Sequence, residues 1–156
     1  MYLYPRKVKY PTDNQLKLWT LKRNKLTGKE IAEQSSVSPA FVSKTLKEAN
    51  KRIKAILENS ARMNKIKLNL ISVELGFARG FSYMFNIQSY ITFSPENGVQ
   101  VWHEHKGDCV KCEEYTLCRE MLLQEFKERN LKPPHPSTRP TDLGEILFKK
   151  LEEMVE

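Results

Sequence analysis

The chain has 156 residues, of which 40% are hydrophobic and 29% charged, a balance that is typical of a globular protein with one or two small cores. It contains no run of about 18 apolar residues, so the sequence predicts no membrane contact and favours a cytoplasmic protein. The charge is uneven: residues 1–67 hold 16 Lys and Arg against 5 Asp and Glu, whereas residues 68–156 hold 10 against 14. The basic half therefore has the charge expected of a phosphate-binding surface.

Two capping boxes predict the first two helices. Thr12 lies three residues before Gln15, and Thr27 lies three residues before Glu30. In such a pair the hydroxyl accepts a hydrogen bond from a free helix N–H, while the longer side chain reaches back to the cap. The basic, tyrosine-rich segment 2–10 precedes the first box and fits equally a flexible arm along DNA or a strand packed elsewhere.

The stretch Thr27–Lys47 fits two short helices joined by a tight turn. Serines interrupt the helical pattern after Ala32, and Ser38-Pro39 supplies an N-cap and a first helical residue for the next helix. Val42 and Leu46 continue the buried stripe into that helix.

These residues resemble the helix-turn-helix of transcription regulators, and more closely that of Tfx-type regulators and of region 4 of sigma factors. The resemblance covers Thr12–Ile53. It departs at the turn, where Ser36 stands in the position usually held by Gly and must adopt a positive φ, and at Ser35, where Leu is often found. The matching residues are Gln15, Leu18, Glu30, Ile31, Ala32, Val37, Ser38, Val42 and Ser43.

The resemblance implies double-stranded DNA as the partner, with the start of the third helix in the major groove. Lys44 is the first candidate for a base or phosphate contact, because a Lys can donate to guanine O6 and N7. The alternative is a helical hairpin with a merely solvated basic surface. The predicted DNA-facing residues are Ser38, Ala40, Ser43, Lys44 and Lys47, with Lys29, Lys51 and Arg52 as backbone contacts.

The third helix is predicted to be long, because neither Gly nor Pro occurs between Pro39 and Gly76. Its apolar or small residues recur in steps of four and three, which is a heptad seam and favours a homodimer. The alternative is that the same stripe packs on the chain's own C-terminal half. The domains are predicted as 1–60 for DNA binding, 61–75 for the continuing helix and 76–156 for a C-terminal unit. The seam consists of Val42, Leu46, Ala49, Ile53, Ile56, Ser60, Met63, Ile66 and Leu70.

The C-terminal unit is predicted to contain one β-hairpin, because β-branched and aromatic residues flank the turn signal Ser94–Gly98. Alternation places Val99, Val101, His103 and His105 on one face of its second strand. A proline-rich linker over 132–140 and a short apolar helix from Thr141 or Asp142 complete the chain. The fold class is therefore α+β, a three-helix helix-turn-helix with a long third helix, followed by a β-hairpin and helices around a metal site.

The metal site is predicted because all three cysteines lie within ten residues and two histidines precede them. Cys109, Cys112 and Cys118 with His105 or His103 supply the three thiolates and one imidazole of a structural zinc site. The Cys spacing also resembles that of iron–sulfur proteins such as WhiB-type regulators and RecB-like nucleases, although the chain has no fourth Cys, so an iron–sulfur cluster is the alternative cofactor. Three cysteines without a metal are the remaining possibility.

The function predicted is a sequence-specific, dimeric DNA-binding transcriptional regulator whose metal is structural or senses metal or redox state. The chain has no Gly-rich phosphate loop and no nucleophile-elbow motif, which favours a protein that is not an enzyme. The alternatives are a metal-dependent nucleic-acid enzyme and a DNA-binding adaptor that recruits a partner through its C-terminal unit. Nothing in the sequence names an operator or a small-molecule effector.

Overall fold

The computed structural model describes residues 8–155; most of segment 2–10, the predicted arm or strand, lies outside that range. None of the helices within it is long and apolar enough to cross a lipid bilayer. The elements in chain order are α1 (Asp13–Arg23), α2 (Gly28–Ser35), α3 (Pro39–Met63), β1 (Ile66–Ser72), β2 (Phe77–Ser82), β3 (Ile87–Ser94), β4 (Gly98–His103), a 3-10 turn (Cys109–Lys111), α4 (Tyr115–Glu128) and α5 (Pro140–Val155).

The starts of the first three helices follow from their caps. The Thr12 hydroxyl accepts from the N–H of Gln15 at 3.3 Å, and the Gln15 side chain accepts from the Thr12 N–H at 3.0 Å. Thr27 and Glu30 form the same reciprocal pair. Both predicted capping boxes are confirmed, and the Ser38 hydroxyl caps α3 by accepting from the N–H of Phe41 at 3.1 Å.

The four strands form one antiparallel sheet in the order β1-β2-β3-β4. Side chains alternate between its two faces. Ala78, Ile91 and Val101 pack toward α1 and α3, whereas Tyr90 and Trp102 pack toward α4 and α5. The sheet is therefore the middle of three layers, and helices from both ends of the chain share it.

The third helix ends at Met63, so the helix predicted to continue over 61–75 is not observed. Asn64 caps it and Lys65 follows with a φ of 56°, after which β1 begins at Ile66. Ala49 and Ile53 of the predicted dimer seam are buried against Trp19 and the sheet. The stripe thus packs on the chain itself, which was the alternative to the seam.

The predicted fold class is wrong in its C-terminal part. The chain has a four-stranded sheet in place of one hairpin, and this sheet packs on α3 instead of forming a separate unit with the last helices. Within residues 8–155, no group of three or more His, Cys, Asp or Glu side chains is arranged to hold a metal ion. The helices therefore do not surround a metal site.

A buried ion pair on α4 fastens that helix to the sheet. Arg129 pairs with Glu125 one turn earlier, and both side chains are almost completely buried. The Arg129 guanidinium also donates to the carbonyl oxygens of Leu75 and Phe93, each at 3.2 Å. Glu125 accepts from the Asn97 amide at 2.7 Å. This charged pair therefore joins the β1–β2 turn, which contains Leu75, to the β3–β4 turn, which contains Asn97.

The three N-terminal helices are attached to the same end of the sheet through α1. The Trp19 indole donates to the carbonyl of Val73 at 3.2 Å and its ring lies edge-on to Phe93. Arg23 lies over the Trp19 ring at 4.8 Å and donates to the carbonyl of Glu128 at 2.7 Å. Burial, and then the neighbouring Arg129, lower the pKa of Arg23 to about 10. These contacts fix α1 against both the sheet and α4.

Candidate nucleic-acid interface

The turn between α2 and α3 is tight and is closed by backbone hydrogen bonds. Ser36 adopts the left-handed conformation, with φ 54° and ψ 43°, and its N–H donates to the carbonyls at the end of α2. The N–H of Val37 donates to the carbonyl of Ala32 at 3.1 Å, which closes the turn. The positive φ predicted at Ser36 is thus present, and it is held by the hydrogen bonds that usually accompany a glycine at this position.

A small core braces the first turns of α3. Leu18 of α1, Ile31 and Ala32 of α2 and Val42 of α3 are buried together, and Val37 from the corner packs against them. Because three helices contribute, α3 is held along its inner side from its first turn onward. Its outer side is consequently presented on a rigid element.

That outer side carries the residues predicted to face DNA. Lys44, Lys47 and Lys51 recur at spacings of three and four, so they share one face of the helix, with Ala40 before them. Val42, Thr45 and Ala49 lie on the opposite, buried side. The exposed predicted residues are Ser38, Ala40, Ser43, Lys44, Lys47 and Lys51 on α3 and its cap, with Lys29 on α2.

Arg52 differs from the other predicted contacts because the chain itself engages its guanidinium. Its Nε lies 3.1 Å from a carboxylate oxygen of Glu48, and its Nη1 donates to the carbonyl of Tyr10 at 3.1 Å. Arg52 therefore ties the segment before α1 to α3. Its guanidinium is engaged within the chain, unlike the exposed lysines of α3.

Comparison of the chain with protein-family models, curated proteins and solved structures finds no match.

The three cysteines lie beside α4 and α5. Cys109 is buried with its sulfur 3.4 Å from the hydroxyl of Thr141, Cys112 is exposed, and Cys118 is half-buried on the core beneath these helices. Burial raises the pKa of Cys118, and the neighbouring Cys109 and Cys112 raise it further.

The two predicted histidine ligands are placed elsewhere. His103 lies on the same face of β4 as Val101, the face toward α3, whereas Cys118 packs on the opposite side of the sheet. The Nδ1 of His103 is hydrogen-bonded to the Ser89 hydroxyl at 2.8 Å, and burial lowers its pKa. His105 lies beyond the end of β4 and is exposed.

Within residues 8–155, the predicted ligands Cys109, Cys112, Cys118, His103 and His105 are not arranged as a group of three or more that could hold a metal ion. The sheet separates His103 from Cys118, and His103 already has a hydrogen-bond partner. The prediction that strand alternation places His103 and His105 on one face of the second strand does not extend to His105, because β4 ends at His103. Bound zinc or an iron–sulfur cluster stays a prediction of the sequence.

Proposed function

We propose that this protein is a sequence-specific DNA-binding transcriptional regulator of the cytoplasm. The observation that carries the proposal is the exposed lysine face on the first half of α3, directly opposite the stripe that braces the helix. A helix of this kind fits the major groove of B-DNA, which admits one α-helix. The resemblance of Thr12–Ile53 to helix-turn-helix proteins supports the same orientation.

The lysines divide into two roles by their position along α3. Lys44 lies in the second turn beside Ser43 and Ala40, where side chains can reach base edges. The Lys44 ammonium can donate to guanine, the Ser43 hydroxyl can donate or accept, and the Ala40 methyl can contact the methyl group of thymine. Lys47 and Lys51 lie one and two turns farther on. They are suited to phosphates, as is Lys29 at the start of α2, and such contacts position the helix without reading sequence.

The N-terminal helices α1 and α2 with the first half of α3, which we call the head, must be rigid for this function, because the side chains reach their bases only when α3 is held in one orientation. The Trp19 and Arg23 contacts fix α1 to the sheet and to α4, and α1 in turn packs on α2 and α3. The recognition face therefore moves with the whole chain, so little ordering is required of the helix when it binds.

The test is to select a binding site from a pool of random double-stranded DNA and then to measure affinity by fluorescence anisotropy at several salt concentrations. Each phosphate contact contributes about −0.9 to the slope of log K against log salt. We expect Lys47→Ala to weaken binding on all sequences and to reduce that slope by about 1. Lys44→Ala is expected to weaken binding and to change the preferred base at one position.

Lys149→Ala is the matched control, since Lys149 is an exposed lysine on α5, which packs on the face of the sheet opposite α3. It removes the same charge and should leave affinity and slope nearly unchanged. Salt-dependent binding that is insensitive to Lys44→Ala, Ser43→Ala and Lys47→Ala would show that another surface contacts DNA. If no sequence is enriched from the random DNA pool, the proposal of sequence-specific binding is overturned.

A further inference from the structure

The 3-10 turn between β4 and α4 brings together two cysteines, Cys109 and Cys112, which are three residues apart. The N–H of Cys112 donates to the carbonyl oxygen of Cys109 at 3.2 Å, and this hydrogen bond closes the turn. A turn of this kind brings its first and fourth Cα atoms within about 7 Å of each other. A disulfide spans about 4.4–6.8 Å between Cα atoms, so the backbone holds the two cysteines in the range that a disulfide bridges.

The conformation of the turn also sets the direction of the two side chains. In a 3-10 helix the side chains of residues i and i+3 lie above one another on the same side. Cys109 is the first residue of the 3-10 turn and Cys112 is its C-cap, so their side chains leave the backbone on a common side. The adjustment that remains for a bond between the sulfur atoms is rotation about the side-chain bonds.

The two thiols differ in their access to solvent. Cys112 is exposed, as are Val110 and Lys111 before it, whereas Cys109 is only 6% exposed. A small molecule in solution can therefore reach the sulfur of Cys112 but not that of Cys109. A reaction of this pair with a dissolved reagent consequently has to begin at Cys112.

The buried thiol makes one polar contact, and that contact is easily replaced. The Cys109 thiol donates to the hydroxyl oxygen of Thr141, at the start of α5, with 3.4 Å between sulfur and oxygen. A thiol is a weak donor, and Thr141 is only half-buried, so water can take the place of the thiol at the hydroxyl. Loss of this hydrogen bond therefore opposes a bond between Cys109 and Cys112 only weakly.

We propose that Cys109 and Cys112 form a reversible disulfide by exchange with small-molecule disulfides. The Cys112 thiolate attacks one sulfur of the small disulfide, whose S–S bond breaks, and the sulfur that leaves takes up a proton and departs as the first small thiol. Cys109 then loses its proton, and its sulfur attacks the sulfur of Cys112 and expels the second small thiol. The two cysteines are thereby oxidised by two electrons, and the small disulfide is reduced to two thiols.

The third cysteine has no part in this bond. Cys118 lies in α4, outside the turn, and is half-buried on the core beneath α4 and α5. A disulfide in a cytoplasmic protein is usually transient and follows the balance of thiols and disulfides around it, which agrees with a reversible bond at an accessible turn. Thiol exchange is measured on the chain alone, so its result is independent of whether the chain binds DNA.

The experiment equilibrates the full chain with oxidised and reduced glutathione without oxygen, traps free thiols with iodoacetamide and maps the linked cysteines by mass spectrometry. Trypsin cleaves after Lys111 and separates Cys109 from Cys112, and a glutamyl endopeptidase cleaves after Glu113 and separates Cys112 from Cys118. We expect a bond between Cys109 and Cys112, which an excess of reduced glutathione opens again. Cys118→Ser is the matched control and should be half-oxidised at a glutathione balance within about twofold of that for the unaltered chain.

Two further variants test the order of the steps. Cys109→Ser leaves no second sulfur to complete the exchange, so we expect one glutathione to accumulate on Cys112. Cys112→Ser removes the accessible thiol, and glutathione should add to Cys109 about tenfold or more slowly than it adds to Cys112 in the first variant. Circular dichroism of the reduced proteins checks that each is folded. The proposal is overturned if excess oxidised glutathione leaves the folded chain reduced, if the bond formed involves Cys118, or if the thiols react only after a chelator has removed a bound metal.

Discussion

Replacing Glu125 by Gln tests whether the buried ion pair on α4 holds the sheet end on which the head rests. The substitution keeps the shape of the side chain and removes its charge, so Arg129 keeps its carbonyl contacts but loses its only close carboxylate partner among the described residues. Breaking one partner of a buried pair costs about 3–5 kcal/mol, because a buried charge is left uncompensated.

The structure places Glu125→Gln at the lower end of that range. The new amide oxygen can still accept from Asn97, which Glu125 contacts at 2.7 Å, so one of its hydrogen bonds survives. We therefore expect the free energy of unfolding to fall by about 3 kcal/mol. Glu125→Ala removes that bond as well and should cost about 5 kcal/mol.

Urea unfolding followed by circular dichroism gives the free energy, and an unchanged m-value shows that the unfolded state is comparable. Glu120→Gln is the matched control, since Glu120 is an exposed residue of the same helix. A double-mutant cycle with Arg129→Met should give a coupling energy of about 2 kcal/mol or more. A loss below about 1 kcal/mol for Glu125→Gln, or additive single effects, would refute the reasoning.

Two further predictions concern the sheet. Gly76→Ala should lower the free energy of unfolding by about 3 kcal/mol or more, because Gly76 has a φ of 61° and an added Cβ would overlap the Phe93 carbonyl. Gly98→Ala is the control: at φ 67° with open space around it, it should cost only about 1 kcal/mol in the same urea assay. Equal costs for the two variants would contradict the steric argument. Burial, with Glu152 as the next cause, raises the pKa of Tyr90 to about 12, so its contribution to stability is fully present below about pH 10 and is lost as pH rises through about 12. Tyr90→Phe should remove that part of the alkaline loss, and ultraviolet titration of the phenolates should show one tyrosine fewer ionising near pH 12.

The helix starts could be predicted because each depends on side chains a few residues apart. The hydroxyls of Thr12, Thr27 and Ser38 accept hydrogen bonds from backbone N–H groups within one turn, so the residue spacing alone predicts these contacts. The exposed lysines of α3 could be predicted for the same reason. Their spacing against Val42 already assigns them to the outer face.

The end of α3 could not be predicted from the absence of Gly and Pro. Asn64 and Lys65 end the helix, with Lys65 at a positive φ that a non-glycine residue adopts less often. The apolar residues of β1, Ile66, Leu68 and Leu70, alternate as a strand requires, but Ile66 and Leu70 also continue a helical stripe. The pattern alone does not separate the two, and the pairing of β1 with β2 decides.

The hydrogen bonds of Arg23 and Arg129 and the placement of the histidines depend on contacts between distant parts of the chain. Arg23 and Glu128 are 105 residues apart, and no local spacing connects them. The histidine-to-cysteine prediction rested on closeness in sequence, which the sheet overrides by placing His103 and Cys118 on opposite faces. Because β4 ends at His103 and the cysteines follow it, their closeness in sequence does not place them on the same side of the sheet.

The shared sheet limits how α1, α2 and α3 can be used outside their own chain. Ile53 and Leu57 at the far half of α3 are completely buried against strands that come later in the sequence, and Trp19 of α1 rests on Phe93. A fragment that stops after α3 would present those side chains to water, so we expect it to be unable to fold, and a fusion carrying only the head should lack its activity. Substitutions far from the lysines, at Glu125 or Gly76, would then abolish function by lowering the amount of folded protein, and a genetic screen would find loss-of-function positions throughout the sheet as well as in the head.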